Sequence, residues 1–116
     1  MLKKTFRLGK TREFFHTKRY GSKYYGNCFS VLVNPAKNPT QMPKISVVAP
    51  NKIAPNIPKR NRIKRLFRES IRLNLEQFPK GHNFIFYCNG NSLGKTYEEI
   101  NAGILKFLQE YPFTVS

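Results

Sequence analysis

The chain has no tryptophan, only two cysteines, two histidines and six acidic residues among its 116 positions. Each shortage removes a class of function. Cys28 and Cys88 stand far apart, with no CxxC pair and no accompanying His pair, so neither a zinc site nor a redox motif is written here. They read as buried, reduced thiols of a cytosolic protein. His16 and His82, with Glu13 close to the first in sequence, lack the paired acids and the spacing that acid–base catalysis needs, so no catalytic residue and no metal ligand is assigned. The segment NGNSLGKT ends in GKT but lacks the first glycine of a phosphate-binding loop. No run approaches the roughly 18 apolar residues of a membrane span, and the basic start MLKKTFRLGK has no apolar core behind it, so a soluble cytoplasmic protein is expected.

What is abundant is positive charge. Lys and Arg number 21, giving a formal net charge of +15. A polyanion is the simplest partner for such a surface. The charge is also uneven: residues 1–72 carry 18 of the basic residues and only Glu13 and Glu69 of the acids. The polyanion therefore belongs on the first two thirds of the chain, and the last third completes the fold.

One domain, residues 1–116, fits this length. TREFFHTKRY reads as a first helix, with Thr11 as N-cap, Glu13 at the positive end of the dipole and Gly21 in a left-handed C′ position. GSKYYGN reads as a turn into the strand CFSVLVN, and the Pro-punctuated PAKNPTQMP as a hairpin connection to a second strand, KISVVA, with a possible extension near Asn51–Ile53. A long helix is expected from Pro58 to Phe78, closed by Pro79-Lys80-Gly81. HNFIFYC, apolar on both faces, is a central strand. A last helix opens with a Thr96–Glu99 capping box and carries an apolar stripe of Ile100, Ile104, Phe107, Leu108 and Tyr111. The class is α+β: a two-layer sandwich of a small mixed sheet with helices packed on it, in the order α-β-β-(β)-α-β-α.

On the long helix the apolar residues Ile63, Leu66, Phe67, Ile71, Leu73, Leu75 and Phe78 share one side. Arg62, Arg65, Arg68 and Arg72 occupy the other, with Lys64 at the edge. A face that merely kept a helix soluble would mix signs, because like charges at i,i+4 repel. Arginine dominates here instead, and its forked donors grip phosphate oxygens and stack on unpaired bases. Asn61, between two arginines, can donate to a phosphate or 2′-OH, or serve as a local cap.

The run RNRIKRLFRE at Arg60–Glu69 resembles the signature of the protein subunit of bacterial ribonuclease P, which removes the 5′ leader of precursor tRNA. Length, charge, element order and motif position agree over roughly residues 6 to 110. The resemblance implies a ribosomal-protein-like fold with a left-handed βαβ crossover, an exception to the right-handed rule. It also implies that catalysis lies in the RNA subunit, with magnesium held mainly by that RNA, and that the partners are ribonuclease P RNA and precursor tRNA, with no membrane and no obligate protein partner. Carried over by residue, Arg60, Asn61, Arg62, Lys64, Arg65, Arg68 and Arg72 would bind the catalytic RNA. Phe14, Lys18, Phe29 and Lys52 would line a leader cleft between the sheet and the first helix. Two departures stand out: KIAPNIPKRNR carries prolines and one extra residue ahead of the motif, and Lys18 replaces an aromatic expected one turn after Phe14. The alternative is a ribosomal or general structured-RNA-binding protein with no role in cleavage; a cationic membrane-surface protein fits less well, because the apolar helix face is committed to a core.

Overall fold

The computed structural model describes residues 6–9, 11–50, 52 and 56–112. Seven main elements follow in order: α1 (Arg12–Tyr20), β1 (Ser22–Tyr25), β2 (Phe29–Pro35), β3 (Lys44–Val48), α2 (Ile57–Leu73), β4 (His82–Cys88) and α3 (Tyr97–Glu110). Single 3₁₀ turns at Leu75–Gln77 and Gly90–Ser92 bracket β4.

The sheet runs β1-β2-β4-β3, with β1–β2 and β2–β4 antiparallel and β3–β4 parallel. The strand HNFIFYC is therefore central, as its two apolar faces require. Two expectations need correction. GSKYYGN is not only a turn, because Ser22–Tyr25 pair with Ser30–Val33 as an edge strand. PAKNPTQMP is not a hairpin connection either: β4 lies between β2 and β3, so this loop spans the sheet end. The extension near Asn51–Ile53 falls largely outside the described residues.

Strand alternation sorts the sheet residues between two faces. Phe29, Val31, Val33, Ile45, Val47, Phe84 and Phe86 face α2 and α3, which contribute Ile63, Phe67, Ile71, Ile100, Ile104 and Phe107. Its rings meet largely edge to face, for example Phe84 and Phe107 at 6.3 Å and 87°. On the other face α1 lies across a smaller cluster in which Phe14 and Leu8 cover Ile85, beside Leu32, Val48 and Tyr87. Two helices thus form the second layer of the sandwich, and α1, with Leu8 ahead of it, covers part of the opposite face.

The helix ends differ from the sequence reading for local reasons. Gly21 is extended (φ −67°), not left-handed, and a Cβ there would sit 2.6 Å from the Thr17 carbonyl oxygen. Close approach, not handedness, selects glycine. Thr11 precedes α1 without a side-chain cap bond. The long helix stops at Leu73, five residues early, because Asn74 turns its side-chain amide back to the Ser70 carbonyl (2.8 Å) and across to Asn101 Oδ1 of α3 (2.7 Å). Ser70, fully buried, donates to the same Asn101 oxygen at 2.7 Å. The Thr96–Glu99 capping box of α3 forms as expected.

Candidate nucleic-acid interface

The start of α2 is set by Asn56, whose side chain accepts from the Lys59 backbone N–H at 3.2 Å, with Pro58 in the first turn. Because Asn56 caps the helix, Asn61 has no capping role to play and is exposed. Ile63, Phe67, Ser70 and Ile71 are buried against the sheet and α3. Geometry then turns the motif outward: Asn61, Arg62, Arg65 and Arg72 are exposed, while Arg60, Lys64 and Arg68 run along one flank, half-buried.

The cations of this face are not equivalent. Arg62 donates to the Lys95 carbonyl at 3.4 Å, tying the helix to the loop before α3. Arg72 pairs with Glu69 at 2.5 Å, and this hydrogen bond holds the Glu69 carboxyl below its ordinary range. Arg65 makes no ion pair among the described residues. The Arg60 Nε–H is buried and has no hydrogen-bond partner among the described residues. A recess between Lys59, Arg62 and Ile63 on one side and Leu93 and Gly94 on the other extends the face onto a loop that sequence reasoning did not single out.

The residues expected to form the leader cleft do not assemble as one wall. Phe14 is 7% exposed and seats α1 on Ile85. Lys18, one turn further on, is exposed, and so is Lys52 beyond the end of β3. Phe29 is a correction. It is 1% exposed and faces α2, stacked edge-on to Phe67, so the sheet itself separates it from α1. On the α1 face of the sheet Tyr87 is half-buried, its hydroxyl pKa raised by burial, and the register puts Tyr25, paired with Ser30, on that same face. The parity of Tyr87 with Asn83 and Ile85 in β4 was the available signal. Tyr20 and Tyr25, both strongly exposed, lie under Arg19 and Lys23 respectively, at 5.5 Å and 5.2 Å from ring centroid to cation.

Among the described residues no group of three or more His, Cys, Asp or Glu could hold a metal ion, and no helix is long and apolar enough to cross a membrane. An α+β sandwich that buries one face of its longest helix and arms the other with arginine defines a small, basic RNA-binding protein. The ribonuclease P family model matches residues 2–112, so the chain belongs to the ribonuclease P protein family. It is 31% identical to the ribonuclease P protein component of Syntrophus aciditrophicus, over 99% of this chain and 94% of that one. With that of Finegoldia magna it shares 33%, over 88% and 87%. Among solved structures, the RNase P protein from Thermotoga maritima superposes with a TM-score of 0.79 at 21% identity, covering 92% of this chain and 98% of that one. A Staphylococcus aureus RNase P protein gives 0.78 at 19%, over 90% and 93%. The chain is thus the protein subunit of a tRNA-processing endoribonuclease whose partner is ribonuclease P RNA.

Proposed function

We propose that this protein, a single domain working in the cytoplasm, divides its task between two surfaces. The outward face of α2 docks on ribonuclease P RNA, with Arg60, Asn61, Arg62, Lys64, Arg65, Arg68 and Arg72 as its contacts. The α1 side of the sheet holds the 5′ leader of precursor tRNA, through Lys18, Lys52 and the surface that Phe14 props open, without Phe29. The observation that carries this reading is the split of α2 into a side buried through Ile63, Phe67 and Ile71 and an outward side rich in cations, although Leu73, expected on the core side, is 58% exposed.

The mechanism is electrostatic and positional. Arg65 and its neighbours neutralise phosphates that would otherwise repel one another, while planar guanidinium groups fit phosphate forks. Lys18 and Lys52 do the same for the leader backbone, and an aromatic such as Tyr87 offers a stacking surface worth about 1–3 kcal/mol per base with little sequence preference. That tolerance suits a subunit that handles many leaders. The RNA subunit would hold the magnesium and so supply the metal-dependent chemistry; among the described residues of the protein no group of three or more His, Cys, Asp or Glu could hold an ion.

Reconstitution tests this. Purified protein is mixed with bacterial ribonuclease P RNA and labelled precursor tRNA in low magnesium. Protein-dependent appearance of the mature 5′ end, absent without the RNA, is expected. Tight RNA binding without stimulation would instead make this a general structured-RNA binder.

A further inference from the structure

A cleft of about 340 Å³ lies on the flank of α1 opposite Lys18. It is bounded by Arg12, Glu13 and His16 of that helix, Asn34 at the end of β2, Lys37 in the following loop and Asn83 at the start of β4. It lies on the α1 side of the sheet, but none of Phe14, Lys18 and Lys52, the residues proposed for the leader, lines it.

Its floor is a built polar site. Asn83 is 2% exposed, and its Nδ2 donates to Glu13 Oε2 at 3.2 Å, which fixes the amide's orientation. Its Oδ1 is then buried with no partner, and a buried acceptor without a donor is costly enough to be uncommon. Glu13 is held in place by Lys44 at 3.2 Å and Gln41 at 3.4 Å. His16 lies within 3.0 Å of the Asn34 amide nitrogen through Nδ1; accepting there puts the ring proton on Nε2, a donor. At the rim, Arg12 and Lys37 are exposed and have no carboxylate partner among the described residues.

The chemistry of a ligand follows from these groups. The floor asks for an N–H donor, His16 for an acceptor, and the rim for an anion. Glu13 repels a bare anion from the interior, and the rim repels a cation. The volume is at the small end of ligand sites, suited to one unit and not a longer segment. We propose that this cleft is a subsite for a single nucleotide whose base carries an exocyclic amino group, the amino group donating to Asn83 Oδ1 and the phosphate resting between Arg12 and Lys37. This holds whether or not the other flank of α1 binds leader.

The test is a titration of the isotopically labelled full chain, followed by NMR, with adenosine, cytidine and uridine monophosphates and with inorganic phosphate. The adenine and cytosine nucleotides are expected to shift the Asn83 side-chain amide and the His16 ring, with uridine about tenfold weaker, the value of one lost hydrogen bond. Arg12→Ala with Lys37→Ala, both at exposed positions, should weaken binding about tenfold with the fold intact, which keeps the test independent of Asn83 variants that lose their bond to Glu13. Equal shifts from uridine, the same shifts from phosphate alone, or no shift at millimolar ligand would each overturn the proposal, leaving Asn83 Oδ1 to an ordered water. A short adenosine oligomer separates the sources: tighter binding than the monomer, with the same residues moving, assigns the subsite to an RNA chain, and equal binding assigns it to a free nucleotide.

Discussion

The ring of Phe29 stands edge-on to that of Phe67, with centroids 5.7 Å apart and planes at 87°. Phe67 is fully buried on the core side of α2, so this pair pins α2 to the strand beneath it. Phe29→Ala is expected to cost about 3–5 kcal/mol of stability, as large-to-small aromatic changes in cores do. Urea denaturation measures this. At a temperature where the variant remains folded, its KM for precursor tRNA should match the parent's; a raised KM would return Phe29 to the leader site.

Arg65 and Arg72 separate free from engaged charge on α2. Arg65→Ala should lower the slope of log K against log salt for RNA binding by about one unit, the value of one phosphate contact. Arg72→Ala should lower it less, because Glu69 already holds that guanidinium. Glu69→Gln should tighten binding and steepen the slope by freeing Arg72. Filter binding across a salt series reads all three, and equal slopes for the two arginine variants would sink the distinction.

On α1, Lys18→Ala is expected to raise KM for precursors with a leader and leave RNA assembly unchanged, since Lys18 is exposed and outside the clusters that hold the fold. The substrate with its leader trimmed to one nucleotide should not sense the change. Loss of assembly affinity would show that the two surfaces are not separate.

Glu13 supplies the pH dependence. Burial alone would raise its pKa, but hydrogen bonds from Lys44, Gln41 and Asn83, with the Lys44 charge, outweigh it and hold the carboxyl below its ordinary 4.5. A depressed folded-state pKa means the unfolded chain binds the proton more readily. The stabilisation is therefore present above about pH 4.5 and lost as pH falls through the folded value. Glu13→Gln should be less stable than the parent at pH 7, and the gap should narrow by pH 3 in urea melts.

The two thiols give a readout of opening. Both cysteines are buried and free, and burial, with Cys28 beside it, pushes the Cys88 thiol up to about 12. Since the thiolate is the nucleophile, alkylation of Cys88 at pH 8 should proceed only through unfolding, at a rate that rises with urea. Fast labelling of the native protein would contradict its place in the core.

Much of the architecture was legible because one pattern dominated each segment. HNFIFYC could only be central, and Thr96 with Glu99 could only open a helix. The early end of α2 was not legible, because Asn74 stops it through Asn101, a residue that the sequence places 27 positions away. Edge strand β1 was hidden by the glycines around SKYY, which read as turn chemistry. The site was half legible. Arginine spacing on α2 fixed its outward face, but β2 alternates, and which of its two faces lay under α1 depended on a docking that no local pattern encodes. Phe29 was therefore assigned to the wrong side of the sheet, and Tyr87 was overlooked.

The strand that every other part of the sheet depends on is the last one synthesised. Until residues 82–88 leave the ribosome, β2 and β3 have no common neighbour, and the Phe29–Phe67 contact between β2 and α2 lacks the Phe86 ring that packs against both. Sheet completion is a non-local event across more than forty residues of intervening chain, the kind of step that slows folding and leaves apolar surface waiting. During that interval the arginines of α2 are already made. A growing chain with an armed helix and an unfinished core is open to capture by RNA before it is folded, and docking on its own RNA would then favour the helix that the sheet is still to receive.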